Sequence, residues 1–326
     1  MEMGKRLRHD SVFIADERRH GAKYYIQWIV LFFMDVFFKV LFTFVRKRPR
    51  EDAKYYLVAC GIFKNEAPYL KEWIEYNLLV GFDHFYLYNN NSEDDYLSVL
   101  QPYIDRGIVT LTEWPEVPGQ IGAYRHWYDH YREEAAWCSF LDMDEYPCPL
   151  RDNDMKAWLH RRGKYPQYAV YWRVFGTGGQ IESDPERLVC EQYTTAWPHL
   201  HRSTKVVWNT RYDISRFYTS MMHKLNVRFL GMNVPSVNQY GFFINRWDIH
   251  RHGLFPKTDI QINHYWSKSY REFQSKHKRG DAIWQGGISR RNNEMFLWHE
   301  HKCTMCDRSA YRFLLQLKLR MRGESL

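Results

Sequence analysis

The chain has 326 residues, 45% of them apolar and 17% aromatic, with a formal charge of +8. That is long enough to bury a core without staples and too apolar for a disordered chain. The basic balance favours an anionic partner such as a phosphate, a nucleotide or an acidic lipid. No zinc-finger, RRM-like or helix-turn-helix pattern accompanies the charge, so nucleic acid is not expected.

In chain order, residues 1–23 are basic and polar. Then comes "YYIQWIVLFFMDVFFKVLFTFV", Tyr24 to Val45, about the length needed to span a bilayer. Asp35 and Lys39 interrupt it, four apart and able to pair on one helix face. Charge at mid-bilayer is costly, and a helix lying flat at the interface avoids that cost. Aromatic ends fit either geometry, and the following "RKRPR" favours anionic headgroups. A buried core helix is the alternative. Residues 1–50 are expected to be a membrane-associating segment, peripheral or single-pass, at the cytoplasmic face of the cell membrane.

From Lys54 strands and helices alternate. "KYYLVACGIF" reads as a strand, "KNEAPYLKEWIEYNLLVG" as a helix closed by Gly81, and "FDHFYLYNN" as a second strand. "YLSVLQPYIDRG" is the next helix, "IVTLTEW" a third strand and "GQIGAYRHWYDHYREEA" a longer helix. "WCSFLDMDEY" is read as a fourth strand running into acids. Four such rounds predict an open α/β sheet, whose ligands sit at the carboxyl ends of its strands. "DNDMKAWLHRRGK" continues as a helix and "YAVYWRVFGTGG" as a fifth strand entering a glycine turn. Beyond Gly179 the pattern loosens: "TKVVWN" and "GFFINRW" fit strands, and "DIQINHYWSKSYREFQSKHKRG" a strand or loop entering a basic helix. The basic C-terminal stretch reads as helical and amphipathic. Residues 51–290 form the expected catalytic domain and 291–326 a helical extension.

Cysteines fall at 60, 138, 148, 190, 303 and 306, behind no signal peptide with a small-residue cleavage site. Buried thiols in a reducing compartment follow. In "HEHKCTMC", His299, His301, Cys303 and Cys306 are all zinc-binding types. A complete site needs them to converge, and two core cysteines beside surface histidines is the simpler reading.

The chemistry concentrates in "FLDMDEY", Phe140 to Tyr146. In a strand, Asp142 and Asp144 would point the same way. Two carboxylates that close repel unless a cation sits between them, and such oxygen ligands select Mg²⁺ or Mn²⁺. Glu145 could add a ligand or accept from a substrate. Solvated acids on a loop are the plain alternative.

The residues around this motif resemble a known family, the family 92 glycosyltransferases, related to the family 2 enzymes of the GT-A fold. The likeness runs from about Tyr55 to Gly280, through "CGIFKNEAPYLKEWIEYNLLVGFDHFYLYNNNS", "FLDMDEY", "WRVFGTGG", "TKVV" and "INHYWSKSYREF". It implies a GT-A-like, Rossmann-type α/β sheet, while the N-terminal hydrophobic helix and the C-terminal helical extension, read from the sequence pattern, lie outside the likeness. It also implies a nucleotide-diphosphate sugar donor, inversion at the anomeric carbon, and Mn²⁺ or Mg²⁺ with diphosphate on Asp142 and Asp144. Galactose has the best claim as the sugar. His264 in "INHYWSKS" is expected to complete the metal shell, with Lys268 on diphosphate oxygens.

A single displacement needs no protein nucleophile but does need a general base. Glu182 is the first choice, Asp184 the second and Asp281 the third. Gly61 is expected where a base or ribose approaches the first strand. Glu66 could accept from ribose hydroxyls, and Asn65 could do the same or cap the helix. Asn89 and Asn91 are donor-site or plain turn residues. Lys64 is structural or steadies the diphosphate, and Lys205 is a phosphate candidate. Trp172 could offer a sugar platform or pack in the core. A UDP-sugar is the favoured donor, with a glycan or lipid-linked acceptor and an anionic membrane surface as the other partners. The alternatives are a nucleotidyltransferase or phosphotransferase using the same carboxylates, and a noncatalytic glycan-binding module.

Overall fold

A computed structural model describes residues 22–218, 223–244, 258–279 and 292–324. The apolar stretch forms α1 (Ala22–Phe44). The alternating pattern then becomes β1 (Tyr55–Phe63), α2 (Ala67–Leu79), β2 (His84–Asn89), α3 (Tyr96–Asp105), β3 (Val109–Glu113), α4 (Gln120–Tyr131) and β4 (Ala135–Phe140). These four strands are parallel, in the order β3-β2-β1-β4. β1, β2 and β4 are buried along most of their length, as strands covered on both sides require, while β3, at the sheet's edge, is mostly half-buried.

After β4 come β5 (Glu145–Pro149), α5 (Met155–Arg162), β6 (Gln167–Val174), the short α6 (Val189–Gln192), β7 (Thr195–Ala196), β8 (His201–Asn209), β9 (Asp213–Arg216), β10 (Asn226–Phe229), β11 (Met232–Val234), β12 (Val237–Asn238) and β13 (Ile260–His264). The chain ends in α7 (Tyr270–Arg279), α8 (Asn293–Glu300), β14 (Met305–Cys306) and α9 (Tyr311–Met321). The main sheet continues β4-β8-β6-β13-β5, with β8 antiparallel to both neighbours and β13 parallel to β6 but antiparallel to β5. The sheet is therefore mixed, where the sequence pattern had predicted an open α/β sheet built from four strand–helix rounds.

Two readings change. The acids do not end a strand: β4 stops at Phe140, residues 141–144 turn, and Glu145 opens β5. The turn is closed by the Glu145 amide donating to the Asp142 carbonyl at 3.1 Å. In "GFFINRW", Phe243 makes an isolated bridge to Val237 rather than a strand, and residues 245–247 lie outside the described residues.

The short acid turn dictates the sheet's shape. β4 and β5 are four places apart in the strand order, a separation of about 19 Å in a flat sheet at ~4.8 Å per strand. Five residue steps reach at most about 18 Å when fully extended, and this link is a closed turn. The sheet must curl, which brings β5 round towards β4 and sets the acid turn at the mouth of the curve.

Helix α1 is split between two environments. Leu31, Asp35, Phe38 and Phe42, spaced 4, 3 and 4 apart on one stripe, are buried. Phe42 stacks on Phe229 and packs edge-on to Tyr165 and Tyr212, and Phe38 lies against Phe243. Asp35 accepts the Phe243 amide at 3.0 Å and pairs with Lys39 at 2.7 Å, the pairing the spacing predicts. The opposite face leaves Ile26, Ile29, Phe33, Val36, Phe37 and Val40 exposed. The helix is long and apolar enough to cross a membrane. Its second half nonetheless belongs to the packing of the domain. Phe42→Ala is expected to lower stability by about 3–5 kcal/mol through the cavity it leaves. Phe33→Ala, on the exposed face, should change it by about 0.5 kcal/mol or less. Paired denaturation curves in one detergent check the contrast.

Candidate functional site

The mouth of the curled sheet gathers side chains from five places. Asp142 and Asp144 come from the β4–β5 turn, Glu145 from the start of β5, Lys205 from the middle of β8, His264 from the end of β13, and Lys276 from α7. β1 holds the turn in place. The Leu141 amide donates to the Cys60 carbonyl at 3.1 Å. A Cβ on Gly61 would come within 2.8 Å of the Leu141 carbonyl and 2.5 Å of Met143 Cε. Gly61 is thus required by the protein's own acid turn, and it lies inside β1, two residues before the strand's end.

The two aspartates are balanced by separate lysines. Lys205, with no exposed side-chain surface, sits 2.8 Å from Asp142 Oδ2 and 2.8 Å from Glu145 Oε2. Gln120, opening α4, donates to Asp142 Oδ1 at 3.2 Å, and Glu145 Oε2 accepts the Asp142 amide at 3.0 Å. Asp144 Oδ2 takes Lys276 Nζ at 2.6 Å, and His264 Nε2 lies 3.6 Å from its other oxygen. The repulsion that made a divalent ion necessary on sequence grounds is therefore already relieved by ammonium groups. Glu145 is buried in this network and is not open to a substrate.

Burial would raise the Asp144 carboxyl, but Lys276, His264 and Lys268 outweigh it and hold Asp144 well below the usual carboxylate range. Burial pushes Glu145 the other way, up to about 8, against the pull of Lys205 and with the charges of Asp142 and Asp144 adding to the rise. For Lys205 burial opposes the charge, and Asp142 and Glu145 overcome it, so the ammonium stays protonated.

Asp144 and His264 can hold a divalent cation. Two cis ligands of an octahedral ion with ~2.1 Å bonds stand about 3 Å apart, close to the 3.6 Å seen between Asp144 Oδ1 and His264 Nε2. A carboxylate oxygen with an imidazole nitrogen suits Mn²⁺. Among the described residues no group of three or more His, Cys, Asp or Glu gathers as a metal site. Asp142, for its part, pairs with Lys205 and accepts from Gln120.

Next to this pair, Lys268 is buried with Nζ 3.3 Å from Glu66 Oε2 and 3.1 Å from the centre of the Tyr69 ring. Its φ is +50°, a strained setting for a lysine that costs on the order of 1–3 kcal/mol. Burial, then the nearby Lys276, lowers its pKa, with Glu66 opposing. Trp172 tilts against His264 with ring centres 4.2 Å apart, stacks on His201 and meets His223 edge-on. Its faces are occupied by histidines, not open as a sugar platform.

The remaining predicted residues fall elsewhere. Asn65, at φ +52°, takes the Glu93 amide at 2.7 Å and gives its own to Ser92, tying the β1–α2 and β2–α3 loops together. It does not cap α2, whose N-cap position is Glu66. Asn89 donates to Glu113 at 2.7 Å and Asn91 to the Pro115 carbonyl at 3.1 Å. Lys64 is half-buried in the β1–α2 loop. Glu182 is exposed and 3.9 Å from Arg271. Asp184, also exposed, accepts the Glu186 amide at 3.0 Å. Asp281 lies outside the described residues. His299 is sandwiched against Trp197 and Trp266, while Cys303 donates to the His299 carbonyl. No zinc cluster forms there among the described residues.

Sequence reasoning missed Gln120 and Lys276. Lys276 was hidden in the basic run "KHKRG", yet it lies three residues after buried Phe273, on the inward stripe of α7.

The curled mixed sheet, its N-terminal apolar helix and its C-terminal helices define a GT-A-like α/β protein. The chain belongs to glycosyltransferase family 92, whose sequence model matches residues 55–295, and it is classed as a glycosyltransferase. A family 92 protein of Ricinus communis is 26% identical over 225 residues, 64% of this chain and 38% of that one. Another, from Oryza sativa subsp. japonica, is 33% identical over 153 residues, 45% of this chain and 26% of that one. The chain spans less than half the length of these curated relatives. Among solved structures, S. aureus TarS 1–349 is 14% identical with a TM-score of 0.31, over 48% of this chain and 47% of that one. A mannosyltransferase of Pyrobaculum calidifontis, solved with GDP-Man and Mn²⁺, is 16% identical with a TM-score of 0.30, over 45% of each chain.

Two outcomes test the network. Lys205→Met is expected to destabilise the fold most at alkaline pH, where Glu145 is ionised in the folded state and would be left a buried unpaired carboxylate, and Lys205→Met/Glu145→Gln should recover part of that loss. Glu145 also predicts a pH slope. Its folded value of about 8 lies above the ordinary 4.5, so the folded state holds the proton more tightly. The resulting stability is full below about 4.5 and is lost as pH rises towards 8. Thermal unfolding of Glu145→Gln across this window should show a flatter profile than wild type.

Proposed function

We propose that this chain transfers a sugar from a nucleotide-diphosphate donor to an acceptor hydroxyl by a metal-assisted, inverting displacement. The observation that carries the reading is the Asp144–His264 pair, 3.6 Å apart at the carboxyl edge of the family 92 sheet. A divalent ion there, Mn²⁺ or Mg²⁺, would stabilise charge on the diphosphate leaving group. Asp144 and His264 would hold it, and Lys268 is close enough to Asp144 to affect its charge. Lys205 fixes Asp142 through one carboxylate oxygen, and Gln120 orients the other. Glu66, paired with Lys268, stands next to the α2 entry where a ribose would lie.

The acceptor hydroxyl must lose a proton as it attacks. Glu182 is our first choice for that base, because its exposed carboxylate follows the Gly178–Gly179 turn and meets Arg271 only at 3.9 Å. Asp184, held by its own turn, and Asp281 are the second and third. UDP is the proposed nucleotide and galactose the proposed sugar, with a glycan or lipid-linked sugar as acceptor. We place the protein at the cytoplasmic face of a membrane, with the exposed face of α1 and Arg46–Arg50 against lipid. Asp35 and Lys39 are turned to the domain, which favours a helix lying along the surface over one that spans.

Incubation with Mn²⁺ and a panel of UDP-, GDP- and dTDP-sugars should release nucleoside diphosphate; release of pyrophosphate would move the chain to nucleotidyl transfer. Asp144→Asn is expected to lower turnover by at least about 100-fold and to abolish the metal dependence of nucleotide binding, measured by calorimetry. Glu182→Gln should lower kcat by about 100-fold or more with donor affinity kept. An unchanged kcat would move the base to Asp184 or Asp281.

A further inference from the structure

The two lysines on the acid turn are not equivalent. Lys205 is itself fully buried and bridges two acid side chains, Asp142 and Glu145, so it cannot leave without breaking both contacts. Lys276 serves one carboxylate. Among the described residues its partners are Asp144 Oδ2 at 2.6 Å and the Trp266 carbonyl at 3.4 Å. It projects from the last turn-and-a-half of α7, on a four-carbon stem with three rotatable donors. Its ammonium holds one oxygen of the very carboxylate whose other oxygen faces His264.

We infer that Lys276 is a tethered stand-in for the divalent cation: it neutralises Asp144 while the donor site is empty and passes to a diphosphate oxygen when metal and nucleotide bind. This rests on the reading of Asp144 and His264 as the metal pair. An ammonium and a dication cannot comfortably share one carboxylate, whose two oxygens are only about 2.2 Å apart, because the like charges repel at that range. The incoming diphosphate brings oxygens that need cations, and a lysine is an effective point-charge partner for phosphate. The transfer leaves every charge paired: Asp144 with the metal, and Lys276 with the nucleotide. Lys268, already paired with Glu66 and pinned over Tyr69, stays where it is. The site would then bind metal alone poorly and metal with nucleotide well, because the lysine has somewhere to go only when phosphate is present.

The test compares wild type with Lys276→Met, using Mn²⁺ titrated with and without UDP, GDP or dTDP and free Mn²⁺ read by electron paramagnetic resonance. Without nucleotide, Lys276→Met should bind Mn²⁺ at least tenfold more tightly than wild type. In saturating Mn²⁺, its nucleotide affinity by calorimetry should be at least tenfold weaker. Equal or weaker Mn²⁺ binding, with nucleotide affinity unchanged, overturns the inference and leaves the functional reading standing. Wild type that binds none of the three Mn²⁺–nucleotides overturns the functional reading, and the inference with it. Should Lys276→Met fail to fold, wild-type crystals soaked with Mn²⁺ and the nucleotide decide the matter. Lys276 Nζ within about 3.2 Å of a phosphate oxygen supports the transfer, and Nζ still on Asp144 Oδ2 overturns it.

Discussion

The site depends on acid–lysine pairing inside a largely dry pocket. Four acid side chains, Glu66, Asp142, Asp144 and Glu145, meet three lysines, 205, 268 and 276, and the lysine side chains are almost fully withdrawn from solvent. The three lysines could not be buried without these acids, since an isolated charge in such surroundings is prohibitively costly. Together they make a rigid polar floor under the mouth of the sheet. The balance also splits the roles of the two aspartates. Asp142 is locked into the floor by Lys205 and Gln120, and Asp144 keeps one oxygen turned towards His264.

Much of the architecture was legible in the sequence because its signals are local. Period and punctuation mark β1 to β4 and the helices between them, and helix α1 with its Asp35–Lys39 pair follows from spacing alone. The curl was not legible. It comes from β8, β6 and β13 inserting between β4 and β5, and strand order is a long-range property that no residue spacing encodes. The same cause explains the misread acids. "FLDMDEY" looks like one continuous strand, and only the pairing of Glu145 to Pro149 with β13 shows where the chain turns.

The chemistry was legible where it sits in one short stretch and illegible where it is assembled. Asp142 and Asp144 stand out as acids after an apolar run. Their counter-ions arrive from positions 205 and 276, far along the chain, and a lysine in a basic run looks like any solvated lysine. Asn65, Asn89 and Asn91 carry the opposite lesson. Their side chains tie neighbouring loops together, which fits the preference of asparagine for turns. At Gly61 the protein's own backbone makes a close approach, the Leu141 carbonyl lying where a Cβ would need space.

His264 faces Glu145 across the antiparallel ladder of β13 and β5, one residue along from Asp144. The imidazole is delivered to its carboxylate by backbone register, so its aim is a counting problem. Moving β13 by a single position would present Asn263 or Tyr265 in its place and turn the ring to the far side of the sheet. Within Glu145–Pro149 and Ile260–His264, gain or loss of one residue is therefore a graver injury than most exchanges of side chain. Length along these two strands is held as strictly as the identity of the histidine itself.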